Sequence, residues 1–286
     1  MPELPEVDAL VGFLREQTEG AVLAGIELAS FSVLKTYDPP VNAFAGLAVT
    51  DVTRHGKFID FDIDGLHLVI HLAKAGWLRW SDNLSDIKLK MGNGPLTARV
   101  RFDKGDGPHI GFDVTEGGTR KGLAMYAVRD PHDVPGIAAL GPEPLADGFD
   151  LRPLLGRRMQ IKRLLRDQKI IAGIGNAYSD EILHAARLSP FAIAENLSEE
   201  EIVRLESATQ DILREAVAEA KGKPAAELKD DKRTRMRVHG RTGEKCPVCG
   251  DTVLEVTYSN SSLQYCPTCQ TGGKPLKDRT TSKFLK

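Results

Sequence analysis

The chain has 286 residues, 41% hydrophobic and 27% charged, with a formal net charge of −2. That balance suits a globular protein with room for two cores and excludes disordered and fibrous classes. No apolar run nears the ~18 residues of a membrane span, and residues 1–20 lack the cationic start and apolar core of a signal peptide, so a cytoplasmic protein off the membrane is expected. The charge is unevenly placed: residues 221–286 carry 14 Lys and Arg against 7 Asp and Glu, whereas the first 220 carry 24 against 33. A locally basic end suits a segment that meets phosphate, and equally a solvated tail.

The chain opens Met1-Pro2-Glu3-Leu4-Pro5-Glu6. Val7, Leu10, Val11 and Leu14 then recur at helical spacing, which predicts a short amphipathic helix burying the start of the chain. Removal of Met1, which a small second residue permits, leaves Pro2 as a free secondary amine. An α-amino group titrates near ~8, so part of it is nucleophilic at neutral pH. Attack on a sugar aldehyde gives an iminium, and Glu3 lies one residue away to move protons. A plain start residue followed by a helix-opening proline accounts for the same letters without chemistry.

Residues 22–127 change character. Val22–Leu28, Phe58–Ile63, Leu66–Leu72, Thr97–Phe102 and Ile110–Val114 are short β-rich stretches separated by Gly, Asp and Asn turns, the pattern of a β-sandwich or barrel. The expected division is an N-terminal domain over 1–130, a linker over 131–150, a helical domain over 151–240, and a metal-binding end with a basic tail over 241–286. Ser198 and Glu201 form a predicted capping box inside the helical part. Gln168–Tyr178 places Gly173, Gly175 and Asn176 just before an apolar helix, where close backbone approach and a helix N-terminus favour phosphate. A tight helix–helix turn needs the same glycines. The class is α+β.

All four cysteines, Cys246, Cys249, Cys266 and Cys269, sit in two CxxC pairs with sixteen residues between them. This spacing reads as four thiolates around one structural zinc rather than two disulfides. Thr252–Tyr258 and Leu263–Tyr265, joined across Ser259–Ser262, predict a β-hairpin.

Taken in order, MPELPE, His55-Gly56-Lys57, His71-Leu72, Gly141-Pro142-Glu143-Pro144-Leu145, the Gly173–Tyr178 turn, Val238–Glu244 and the terminal cysteines resemble the formamidopyrimidine-DNA glycosylase and endonuclease VIII family along nearly the whole chain. The resemblance implies an N-terminal helix and β-sandwich, a helix–two-turns–helix domain and a zinc hairpin. It further implies a monomeric base-excision repair enzyme acting on double-stranded DNA with damaged, oxidised bases or abasic sites, cleaving by β/δ-elimination through a Schiff base. Carried onto this chain, Pro2 is the nucleophile, Glu3 its acid–base partner and Lys57 a phosphate-binding lysine. Lys162 and Asn176 are phosphate contacts. Three positions depart from the family pattern. Lys74 stands where a methionine fills the gap left by a flipped base, Lys121 follows Arg120 in place of an intercalating phenylalanine, and Ser261 replaces the hairpin's phosphate-gripping arginine. Apolar wedges lower the cost of unstacking, so these changes bear on base recognition. Two alternatives stay open: an abasic-site lyase with little glycosylase activity, and a non-catalytic damaged-DNA-binding zinc protein.

Overall fold

The computed structural model describes residues 1–92, 94–105, 107–118, 121–259 and 261–277. They form two compact units, Met1–Leu140 with Ala220–Lys229, and Gly141–Glu219 with Asp230–Lys286. No helix among the described residues is long and apolar enough to cross a membrane.

Helix α1 (Leu4–Thr18) opens the first unit with a reciprocal cap. The Glu3 N–H donates to the Glu6 carboxylate at 2.9 Å, and the Glu3 carboxylate accepts the Glu6 N–H. Two orphan donors of the first turn are thereby satisfied, and Pro5 occupies a position where a missing N–H costs nothing. Val7, Leu10, Val11 and Leu14 enter the core on the face that their spacing predicts.

Strands β1 (Val22–Leu28), β2 (Val49–His55), β3 (Phe58–Ile63), β4 (Leu66–His71), β5 (Gly76–Ser81), β6 (Leu96–Asp103), β7 (Ile110–Glu116) and β8 (Ala124–Val128) follow. They make two antiparallel four-stranded sheets, ordered β1-β6-β7-β5 and β2-β3-β4-β8. Phe61 of one sheet meets Phe102 and Phe112 of the other at centroid separations of 6.0 and 5.7 Å. Each such pair is worth about 0.5–1.5 kcal/mol beyond the area that it buries. In β4 the alternation splits the side chains: Leu68 and Ile70 face this core, while Val69 joins Val128, Val134 and Ile137 beneath α2 (Pro135–Ala138). The predicted strands stand, with ends moved by a residue or two. β2, β5 and β8 join them; β2 carries Asp and Arg among its apolar residues, and β5 begins with glycine.

The second unit holds α3 (Arg152–Leu155), α4 (Ile161–Arg166), α5 (Asn176–Ala185), most of α6 (Glu199–Ala220), most of α7 (Leu228–Arg235), the hairpin β9 (Leu254–Thr257) with β10 (Ser262–Tyr265), and α8 (Pro267–Thr271). The predicted capping box is formed: the Ser198 N–H reaches Glu201 Oε2 at 2.9 Å and the Glu201 N–H reaches Ser198 Oγ at 3.3 Å.

The expected helical segment 151–240 is not continuous in packing. Ala220, Ala225 and Leu228 belong to the N-terminal core, and Trp77 Nε1 donates to the Ala225 carbonyl at 3.0 Å. Buried indole N–H groups require an acceptor, and this carbonyl supplies it. The two units divide between Leu140 and Gly141, inside the linker expected over 131–150, and its first half, with Val134, Ile137 and Leu140, packs on the sandwich.

Candidate active site and nucleic-acid interface

Within the first unit, Pro2 and Glu3 are buried at the mouth of α1 while Met1 stays half exposed. Lys57 is buried too, in the β2–β3 turn that Gly56 makes at φ 55°. Arg54 holds this turn against α1: its Nε donates to Asp8 at 3.1 Å and its Nη1 to the Gly56 carbonyl at 3.0 Å. Burial, together with the positive charge of Lys57, lowers the pKa of His71 to about 4, so this ring stays neutral under Phe58. Arg54 is not singled out by the sequence, because an arginine on a strand carries no motif, and His71 is named there only through the His71-Leu72 pair, without a role.

Lys74 is exposed in the β4–β5 turn, next to Ala73, a non-glycine residue at φ 50°. A side chain in that region costs roughly 1–2 kcal/mol, so the turn is held by its surroundings. Lys121 folds back onto its own loop, with Nζ 2.6 Å from the Glu116 carbonyl and 3.4 Å from that of Gly94. The buried Glu116 carboxylate accepts the N–H groups of Gly122 and Leu123 at 2.7 and 3.0 Å, which fixes the far end of the same loop. Arg120 lies outside the described residues.

In the second unit, Gln168 shapes the turn before α5. Its Oε1 accepts the Gly173 N–H at 3.0 Å, and its Nε2 donates to the Ile174 carbonyl at 2.7 Å. Gly173 takes φ 84°, which a side chain resists. Asn176 begins α5, yet its Nδ2 donates to the Ser262 carbonyl of the hairpin at 2.8 Å. Lys162, expected to meet a phosphate, points inward. Its Nζ lies 2.6 Å from Asp180 Oδ1, with side-chain exposures of 5% and 0%. Ser179 Oγ at 2.7 Å and the Asn176 carbonyl at 3.1 Å also accept from it. Asp180 also takes His239 Nδ1 at 2.7 Å and the Gln264 N–H at 3.3 Å, tying α4, α5, the 237–240 segment and the hairpin together. The neighbouring Glu181 accepts three successive N–H groups, of Arg237, Val238 and His239, while its burial raises its pKa. A buried carboxylate such as Asp180 needs a counter-charge, and this need draws Lys162 away from solvent. Lys162→Met is therefore expected to destabilise the unit by about 3–5 kcal/mol in urea unfolding, the cost of stranding a buried charge. The slope of duplex affinity against salt should stay put, whereas loss of a phosphate contact would reduce it by about 0.9.

The four cysteines converge at the base of the hairpin. Cys249 and Cys266 Sγ are 3.3 Å apart, and Cys246 and Cys269 Sγ 3.9 Å. Sulfurs about 2.3 Å from a tetrahedral zinc are separated by about 3.8 Å, so the set fits that ion. A zinc ion held by four protein donors has no open position, so it is structural and supplies folding energy rather than chemistry. Without a cation, burial raises the Cys266 thiol to about 11 and pushes Cys269 up as well, so metal binding must displace protons. A further candidate donor, missed by sequence reading, approaches from α5: His184, Cys246, Cys266 and Cys269, without Cys249, place one ligand atom each within 4.8 Å of one another. The core beneath them is Val238 and Val253 with Cys246 and Cys266, too small to hold a fold without metal. Cys266→Ser is expected to abolish stoichiometric zinc binding and unfold the hairpin, read by metal analysis and by proteolysis within 243–272. Full zinc content in that variant would remove Cys266 from the ligand set.

Comparison with known proteins accords with this arrangement. The model of the formamidopyrimidine-DNA glycosylase N-terminal domain matches residues 1–113, that of the formamidopyrimidine-DNA glycosylase H2TH domain 140–226, and that of the zinc finger found in FPG and IleRS 243–272. The formamidopyrimidine-DNA glycosylase of Moorella thermoacetica is 34% identical over 269 residues, covering 90% of this chain and 94% of that one. Among solved structures, the MutM (Fpg) protein from Thermus thermophilus aligns at 31% identity with a TM-score of 0.78, over 96% of this chain and 100% of its own. A MutM in complex with DNA containing carbocyclic 8-oxo-G gives 0.80 at 25% identity, over 94% and 100%. With its three parts matched in order and a relative aligned along nearly its full length, the chain belongs to the formamidopyrimidine-DNA glycosylase family and is an enzyme of that class.

Proposed function

We propose that this chain excises oxidised bases from double-stranded DNA and cleaves the resulting abasic site, with Pro2 as nucleophile once Met1 is gone. The observation that carries this reading is the buried, doubly capped start of α1, which fixes Pro2 and Glu3 on a rigid element rather than on a loose terminus. The related MutM is described in complex with carbocyclic 8-oxo-G DNA, and the same lesion class is assigned here.

In the proposed sequence, the Pro2 nitrogen attacks C1′ of the flipped nucleotide and sheds its proton. The damaged base leaves with the bonding pair and takes up a proton. The nitrogen lone pair then expels the ring oxygen, which is protonated as the sugar opens, leaving a cationic iminium between Pro2 and C1′. That cation acidifies C2′, whose proton departs to a base; Glu3 is the proposed carrier. Electrons from the C2′–H bond expel the 3′ phosphate in β-elimination; the conjugated iminium then acidifies C4′, whose C–H electrons, once that proton departs to a base, expel the 5′ phosphate. Water hydrolyses the remaining imine and frees Pro2. Lys57 is proposed to hold a flanking phosphate and Asn176 to present the α5 N-terminus to the backbone. Zinc takes no part in any step. The enzyme is proposed to act as a monomer in the cytoplasm.

A second reading has its own support: Lys74 and Lys121 replace base-handling residues of the family pattern, Ser261 replaces its phosphate-gripping arginine, and Lys121 is tied to its own loop. This favours an abasic-site lyase with weakened excision. End-group analysis of duplexes carrying 8-oxoguanine, formamidopyrimidine or an abasic site tests both readings. Phosphate at both ends of the gap is the expected product on the abasic duplex. Intact strands on all three substrates would leave only a binding protein.

A further inference from the structure

We propose that His184 is a positioning donor of the zinc centre: the Nε2–H of this imidazole, carried on α5, hydrogen-bonds the Cys246 thiolate, so the grip on zinc depends on the helix as well as on the hairpin. His184 Nε2 lies 3.3 Å from Cys246 Sγ, the separation of an N–H···S bond, and both residues are buried. A zinc ion with four thiolates carries net negative charge, and a buried charge needs donors on its ligands. For Cys246 the donor comes from outside the hairpin, near the C-terminal end of α5.

The other ring nitrogen fixes the tautomer. His184 Nδ1 is buried without a hydrogen-bond partner among the described residues. An orphaned N–H there would forfeit a hydrogen bond and waste the acceptor-rich sulfur, whereas an orphaned lone pair leaves the proton on Nε2, facing Cys246. The hydrogen bond from Asn176 to Ser262 and the one from Gln270 Nε2 to the Leu188 carbonyl at 2.9 Å run between the same two parts. Within this seam Gln270 Oε1 accepts the Cys266 N–H at 2.9 Å, and His184 is the member that reaches a cysteine sulfur. Its role is independent of the DNA chemistry and rests on zinc as the resident metal, which metal analysis of the wild type checks on its own.

The test compares zinc transfer from the full-length, zinc-loaded chain to a colorimetric chelator in the wild type and in His184→Phe, His184→Asn and His184→Gln. Glutamine places an N–H near the Nε2 position and asparagine near Nδ1. Phenylalanine and asparagine are expected to speed zinc loss about tenfold or more, the range for lost outer-shell partners, with glutamine staying close to the wild type. Equal rates for phenylalanine and wild type, or glutamine no better than asparagine, overturn the proposal. Since these changes fall in a core, nitrogen-15 spectra of the histidine rings in the zinc-loaded wild type give a second reading. A proton on Nε2 of His184 is expected. An Nδ1–H tautomer, or an Nε2 bound directly to metal, overturns it.

Discussion

A chain that keeps Met1 is expected to give no borohydride-trapped adduct with an abasic duplex, while the same chain beginning at Pro2 is trapped efficiently. Acylation converts the Pro2 amine into a peptide nitrogen, whose lone pair is drawn into the C–N bond and no longer attacks carbonyl carbon. Loss of a nucleophile costs a covalent mechanism most of its rate, so a fall of roughly 10³-fold or more is expected in strand cleavage. Duplex affinity should barely change, because Met1 is half exposed and the cap of α1 runs between Glu3 and Glu6 without it. Pro2→Gly should behave differently. A primary amine still forms an imine, so trapping persists at lower turnover. Full-yield cross-linking of the Met1-retaining protein would move the nucleophile to another amine, with Lys57 the first to examine.

The second large effect concerns the three departures from the family pattern. Cleavage of a preformed abasic site should outrun excision of an oxidised purine in the parent, because an abasic nucleotide needs no base pocket and less work to leave the stack. Lys74→Met, Lys121→Phe and Ser261→Arg combined should raise excision while leaving abasic cleavage nearly unchanged. Each change has a physical reason. Lys74 is exposed in a turn that also holds Ala73 at positive φ, so a thioether there can fill a gap that a hydrated ammonium avoids. Lys121 must release the Glu116 carbonyl to reach anything else. Ser261 offers its carbonyl to the Tyr258 N–H at 2.8 Å, so the hairpin backbone is already formed to carry an arginine. A charge-assisted phosphate contact from that arginine is worth about 1.5–3 kcal/mol. Single-turnover rates of parent and triple variant on both substrates decide the matter. Efficient excision of 8-oxoguanine by the parent, equal to its abasic cleavage, would mean that these loops do not handle the base.

How far the fold was legible depended on whether its signals were local. The face of α1, the five strand stretches, the Ser198–Glu201 box and the hairpin could be read from periodicity, capping and turn letters, because each follows from residues within a few positions of one another. The presence of one structural metal site was legible for a related reason: two CxxC knuckles declare a metal by spacing alone. The family, and with it the enzyme class, came from motif order along the chain.

What only the tertiary structure decided is the use to which side chains are put. Lys162 has the letters of a phosphate contact, and Asp180, eighteen residues on, claims its charge in the buried interior of the unit. Residues 220–229 look like part of a polar, basic connector, yet Ala220, Ala225 and Leu228 return to the first core and Trp77 finds its acceptor 148 residues away. His184, one histidine on an apolar helix, gains meaning only when folding brings Cys246 to 3.3 Å across 62 residues. In each case the deciding energy is the desolvation of a polar or charged group, and that depends on which distant residues close over it, not on its neighbours in sequence.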